Sequence, residues 1–181
     1  FFKALDAVKR RQLVVISRPE AARAVALAKA RNLKEAKLGA MTYGGRCKGV
    51  EAHLIGMFGE MAVTKFCGGV VDERIFADHG DDGTDCVIDG VGKIGIKCTS
   101  YLEEPYLRVE MEHFDPEIAG YVLCALDKKK AHEIQIIGWA TAEMVQAAPQ
   151  KQFVPDGPMN YVLYEHELLD IKTIKVQHAL G

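Results

Sequence analysis

Residues 121–126 read YVLCAL, an unbroken apolar run, and no other stretch restricts the fold as tightly. A half-exposed strand alternates apolar and polar side chains, whereas a continuous apolar run bounded by turn residues fits a strand buried on both faces. The run is expected as a central strand, and other stretches supply its neighbours. Residues 86–88 and 93–99 are two short strands around Asp89-Gly90, a dipeptide that favours a tight hairpin turn. Residues 106–112 (YLRVEME) alternate, with Leu107, Val109 and Met111 on one face and Arg108, Glu110 and Glu112 on the other. Residues 133–140 (EIQIIGWA) form a further strand, followed by a short helix over about 141–147. Residues 70–76 and 161–164 add edge strands, and the prolines at 149, 155 and 158 mark an irregular segment.

Helices frame these strands. Ser17 and Glu20 have capping-box spacing and Pro19 suits a first turn, so a helix begins near Pro19. Ala21, Ala24, Val25 and Ala28 give it a compact apolar face, with Arg23 opposite and Lys29 on the flank. The apolar run 13–16 before it fits strand or helix equally. A second helix over 50–66 carries Leu54, Met57, Phe58, Met61 and Ala62 at helical spacing and ends at Cys67-Gly68-Gly69. Gly56 and Gly59 weaken it by roughly 1 kcal/mol each while letting it approach a sheet closely. The expected class is α/β, a mixed central sheet flanked by helices. Residues 1–49 read as an N-terminal helical segment with a basic loop, and residues 50–181 as the α/β core, in one compact domain overall.

The residues able to do chemistry converge on the hairpin. Asp85 follows a glycine-broken acidic turn and opens the first strand, and Lys97 lies on the second. Alternation sends Ile94, Ile96 and Cys98 to one face and Lys93, Gly95, Lys97 and Thr99 to the other, so Asp85 can lie beside Lys97. A carboxylate there can help hold a divalent ion, and the amine can help activate water. Asp82 and Asp85 equally suit the shaping of a turn. A lysine within an isoleucine-rich strand needs a partner or solvent, because burying its charge alone is costly. Glu60 borders the apolar stripe of its helix, placed either on the surface or toward the site. The loop around Arg46 and Lys48 fits a phosphate contact or a solvated connector.

Asp85, the hairpin and the Ile-Gly-Ile-Lys run at 94–97 resemble the core of the PD-(D/E)XK nuclease superfamily, in particular its small phage and bacterial members. In that core an aspartate opens one strand and an acid-x-lysine triplet sits on the next. The segment HLIGMFGE (53–60) looks like the helix that precedes the core and supplies a glutamate, and the strand ending in Gly138-Trp139-Ala140 is similar too. The resemblance spans about residues 53–171 and implies a restriction-endonuclease-like fold, a magnesium ion (manganese as a substitute), DNA as partner and phosphodiester hydrolysis. It makes Lys97, Glu60 and Asp85 the catalytic set. Asp85, Glu60 and the Ile96 carbonyl would be metal ligands, supplemented by Asp82 and Glu110. The acid position of the triplet is Gly95. The missing carboxylate has then moved to Glu110 or Glu112, or the site works in reduced form. The third alternative is a nuclease-fold module that binds nucleic acid or a protein without cutting.

Composition excludes some classes. A formal charge of −2 gives no global basic signature for coating nucleic acid, although an acidic metal site can cancel a basic groove in the sum. Five cysteines, odd in number and without C-x-x-C spacing, argue against a disulfide framework or zinc site and suit the cytoplasm. No apolar run approaches the ~20 residues that span a bilayer, so no membrane partner is expected. No phosphate-loop, dinucleotide or nucleophile motif is present.

Overall fold

The computed structural model describes residues 11–38, 49–71 and 84–174. At its centre is β6 (Gly120–Leu126), buried along its whole length as the apolar run requires. It pairs in parallel with β4 (Gly92–Thr99) and antiparallel with β7 (Glu133–Thr141). Beyond β7 lies β1 (Gln12–Val15), and beyond β4 lie β3 (Cys86–Ile88) and then β2 (Gly69–Val71), all antiparallel. The order of this mixed six-stranded sheet is β1-β7-β6-β4-β3-β2. The ambiguous run near the N-terminus is therefore a strand. Val14 packs in the core while Leu13 and Val15 stay exposed, the period of a half-buried edge. Because β1 belongs to this sheet, residues 11–38 share the architecture of the core.

One face of the sheet is covered by α1 (Arg18–Leu38) and α2 (Val50–Cys67). The predicted capping box closes α1: Ser17 N–H donates to Glu20 Oε2 at 2.6 Å and Glu20 N–H to Ser17 Oγ at 3.4 Å. Ala24 and Ala28 are fully buried and let α1 lie close on α2. The middle of α2 is buried nearly all round, from Met57 to Val63, because it runs between α1 and the sheet. Gly68, at φ 69°, ends it by donating to Thr64 O at 2.9 Å.

The other face carries a second, three-stranded sheet, in the order β5-β9-β8. Its strands are β5 (Tyr106–Glu110), β9 (Met159–Tyr164) and β8 (Gln150–Gln152), with α3 (Ala142–Gln146) alongside. Leu107, Val109 and Leu163 meet Tyr121, Leu123, Ala125 and Ile137 of the central sheet. Three expectations change here. The layer on this face is mainly sheet rather than helix. The strand at 161–164 is the middle of its sheet, not an edge, because residues 150–152 pair with it inside the proline-marked segment. The strand at 106–112 stops at Glu110, and Met111–His113 turns away as a 3-10 helix. The edge strand expected over 70–76 is described as far as Val71, and residues 72–83 lie outside the described part.

Candidate functional site

Strand β4 places chemistry at its junction with β3. Cys86 lies opposite Ile94 and Ile88 opposite Gly92, and residues 89–91 close the hairpin with Gly90 at φ 75°, a conformation glycine adopts without strain. Asp85 sits where β3 ends. Its backbone N–H donates to Ile94 O at 3.1 Å, and its carboxylate accepts from Ile96 N–H. The side chain thus continues the ladder past the last backbone partner. Asp85 is only 9% exposed, and a carboxylate so placed needs donors of this kind. In a strand the N–H and C=O of one residue point to the same edge, so the Ile96 carbonyl lies on the Asp85 edge of β4.

Lys97 follows directly. It is half-buried, in register with Leu123, and makes no ion pair or side-chain hydrogen bond among the described residues. Gly95 lies opposite Tyr121 on the same face. Asp85 is felt there too: burial first, with the charges of Asp115 and Asp85 after it, pushes the Tyr121 hydroxyl up. That hydroxyl accepts from Asp115 N–H at 3.2 Å.

Glu60 is placed differently. It is 3% exposed and gripped by Arg31 of α1, with Nη1 to Oε1 at 2.8 Å and Nη2 to Oε2 at 3.3 Å. Its helix covers the Ile94, Ile96 and Cys98 face of β4. A Cβ built on Gly59 would stand 2.9 Å from Cys98 Cβ and 3.3 Å from Ile96 Cγ2. Burial first, and the charges of Asp85, Cys67 and Glu60 after it, push Cys86 up to about 12. Burial and Glu60 also push Cys98 up to about 12. These thiols are inert core groups, as the sequence suggests. Glu60 therefore lies on the helix-covered side of β4, Lys97 on the other side, and Asp85 at the edge between them.

Of the other expected ligands, Glu110 and Glu112 sit on the small sheet and the turn that follows it. Glu110 faces outward from the small sheet and meets Arg108 at 3.5 Å and His113 at 3.6 Å, while Glu112 leaves the strand in the 3-10 turn. Asp82, Arg46 and Lys48 lie outside the described residues. Trp139 is a core residue, fully buried, with Nε1 donating to Thr173 Oγ1 at 3.1 Å. Among the described residues no group of three or more His, Cys, Asp or Glu could hold a metal ion. Sequence reasoning missed Arg31, although a signal existed: it falls three residues after Ala28 and seven after Ala24, on the stripe that packs on α2.

Comparison with protein-family models, curated proteins and solved structures finds no match for this chain. Among the described residues no helix is long and apolar enough to cross a membrane.

Proposed function

We propose that this chain is a magnesium-dependent DNA nuclease with a reduced site, built from Asp85 and Lys97 at the β3–β4 junction on a restriction-endonuclease-like core. The observation that carries this reading is the hydrogen bond from Ile96 N–H to the Asp85 carboxylate. It fixes the carboxylate at the β4 edge, beside the Ile96 carbonyl and one residue from Lys97. Magnesium keeps several waters and takes one or two carboxylates together with substrate phosphates, so this sparse oxygen set fits a weakly held ion. Such an ion would polarise the phosphodiester. Asp85 and the Ile96 carbonyl would hold it, Ile96 N–H orients Asp85, and Lys97 sets a positive charge near the scissile phosphate or the attacking water. Glu60 takes no part while Arg31 occupies both its oxygens; its role is to join α2 to α1.

A second reading has its own support. Gly95 supplies no acid and Arg31 neutralises Glu60, which favours a nuclease-fold module that binds nucleic acid or a protein without cutting. Cleavage of single-stranded, duplex and branched DNA with magnesium or manganese separates the two. The nuclease reading expects metal-dependent cutting that Asp85→Asn and Lys97→Ala each reduce by about 100-fold or more, with the folds intact. Gly95→Asp adds a carboxylate on the Lys97 face and should lower the metal concentration needed. No cleavage by folded wild-type protein on any of these substrates decides for the binding module.

A further inference from the structure

The inner face of the small sheet is occupied by Leu107, Val109 and Leu163, but its outer face is aromatic and basic. Tyr106 stacks on Phe153, with centroids 5.5 Å apart and planes within 5°, and meets Tyr164 at 6.0 Å. Tyr164 in turn stacks on His166 at 6.2 Å. Arg108 and Lys151 lie over the Phe153 ring at 5.5 and 5.3 Å. Stapling the 153–158 loop to the sheet accounts for Phe153. It leaves unexplained why two tyrosines, 37% and 43% exposed, sit next to each other in one row.

Charge narrows the occupant. Three carboxylates near this face have partners: Glu110 meets Arg108 and His113, Glu165 meets Arg11 at 2.6 Å, and Glu167 accepts from Tyr164 N–H at 2.7 Å. Lys151 has no carboxylate partner among the described residues. A ligand complementary to this face offers flat π surfaces and negative charge together, which is the chemistry of unpaired nucleotides. Base-on-aromatic stacking of this kind tolerates any sequence. The face also lies on the side of the central sheet toward which Lys97 projects.

We propose that this outer face binds single-stranded DNA, with bases stacked on Tyr106 and Tyr164 and phosphates beside Arg108 and Lys151. The inference deepens the nuclease reading, from which it takes the identity of the polymer, by naming the unpaired form as substrate. The test is equilibrium binding of a fluorescent oligothymidine in EDTA, so that binding is read without cutting. Tyr106→Ala and Tyr164→Ala should each weaken binding about tenfold, and Lys151→Glu should also flatten the dependence on salt. Tyr164→Leu, which keeps an apolar side chain but removes the ring, should weaken binding as much as Tyr164→Ala does, in protein with a wild-type melting temperature. Affinity unchanged in the tyrosine variants, no oligothymidine binding by wild type, or equal affinity for a blunt duplex of the same length overturns the inference. Cleavage by wild type with platform-independent binding would leave the nuclease reading standing alone. Platform-dependent binding without cleavage under any metal would sink that reading and keep this one.

Discussion

The two faces of the central sheet are built on different rules. The helix-covered face is closed. Small and sulfur-bearing residues let α2 lie almost on the strands, and the carboxylate that α2 carries inward, Glu60, is neutralised by a bidentate arginine. Among the described residues the other face is only partly covered. The small sheet stops over β6 and β7, leaving Lys93 and Val87 exposed and Lys97 half-exposed beside Asp85. The comparison teaches that burial alone does not mark a functional acid. Glu60 is the more buried of the two carboxylates, yet it is fully engaged in holding helices together. Asp85 lies at the β3–β4 edge instead, where its carboxylate accepts from the Ile96 N–H.

Breaking the Arg31–Glu60 pair should have the largest effect. Removing one partner of a buried ion pair strands the other, at a cost of about 3 kcal/mol or more. Arg31→Ala should lower unfolding stability by that amount in urea titration. The double change Arg31→Met with Glu60→Met should recover most of it, because the charge to be buried disappears with its partner. A loss below about 1 kcal/mol for Arg31→Ala would mean the pair is solvated, and Glu60 would return as a ligand candidate.

A middle-sized effect is expected at Gly59. The neighbour of its missing Cβ is Cys98 Cβ at 2.9 Å, an atom fixed to the β4 backbone rather than the end of a flexible chain. Gly59→Ala gains about 1 kcal/mol in helix propensity. It loses roughly 1–3 kcal/mol by forcing α2 off the strand, so denaturant unfolding should show net destabilisation. A stabilised variant would show that the closed face has slack.

The smallest effect belongs to the rim of the closed face. Glu20 accepts from Lys65 at 2.9 Å, and the hydrogen bonds from Lys65 and Ser17 hold its carboxyl down at about 2, below the usual carboxylate range. A depressed carboxyl contributes stability above its unfolded pKa and loses it as pH falls through the folded one. Wild type and Glu20→Gln should therefore differ at pH 7 and converge as the pH drops from about 5 to about 2. Because the pair is exposed, the gap should stay well under 1 kcal/mol. A gap as large as that of Arg31→Ala would erase the contrast between rim and interior.

Much of the scaffold was legible because local patterns report local structure. YVLCAL specified a doubly buried strand, Ser17 and Glu20 specified a helix start, and Asp89-Gly90 specified the hairpin that brings Asp85 to β4. Alternation also assigned Lys97 and Ile96 to opposite faces of β4. The candidate site was legible only as far as that hairpin reached. Helical spacing put Glu60 beside the apolar stripe without saying which face of which strand the helix would cover.

By itself the sequence determined the periodicities, the caps and turns, and the hairpin that carries Asp85 and Lys97, all of which act over a few residues. Only the tertiary structure decided that Arg31 neutralises Glu60, that Glu110 turns outward, and that residues 150–152 make Tyr164 part of a central strand. The reason is physical. Each of these depends on which distant element wins the burial of a shared face, and neither charge nor periodicity along the chain encodes the partner across it.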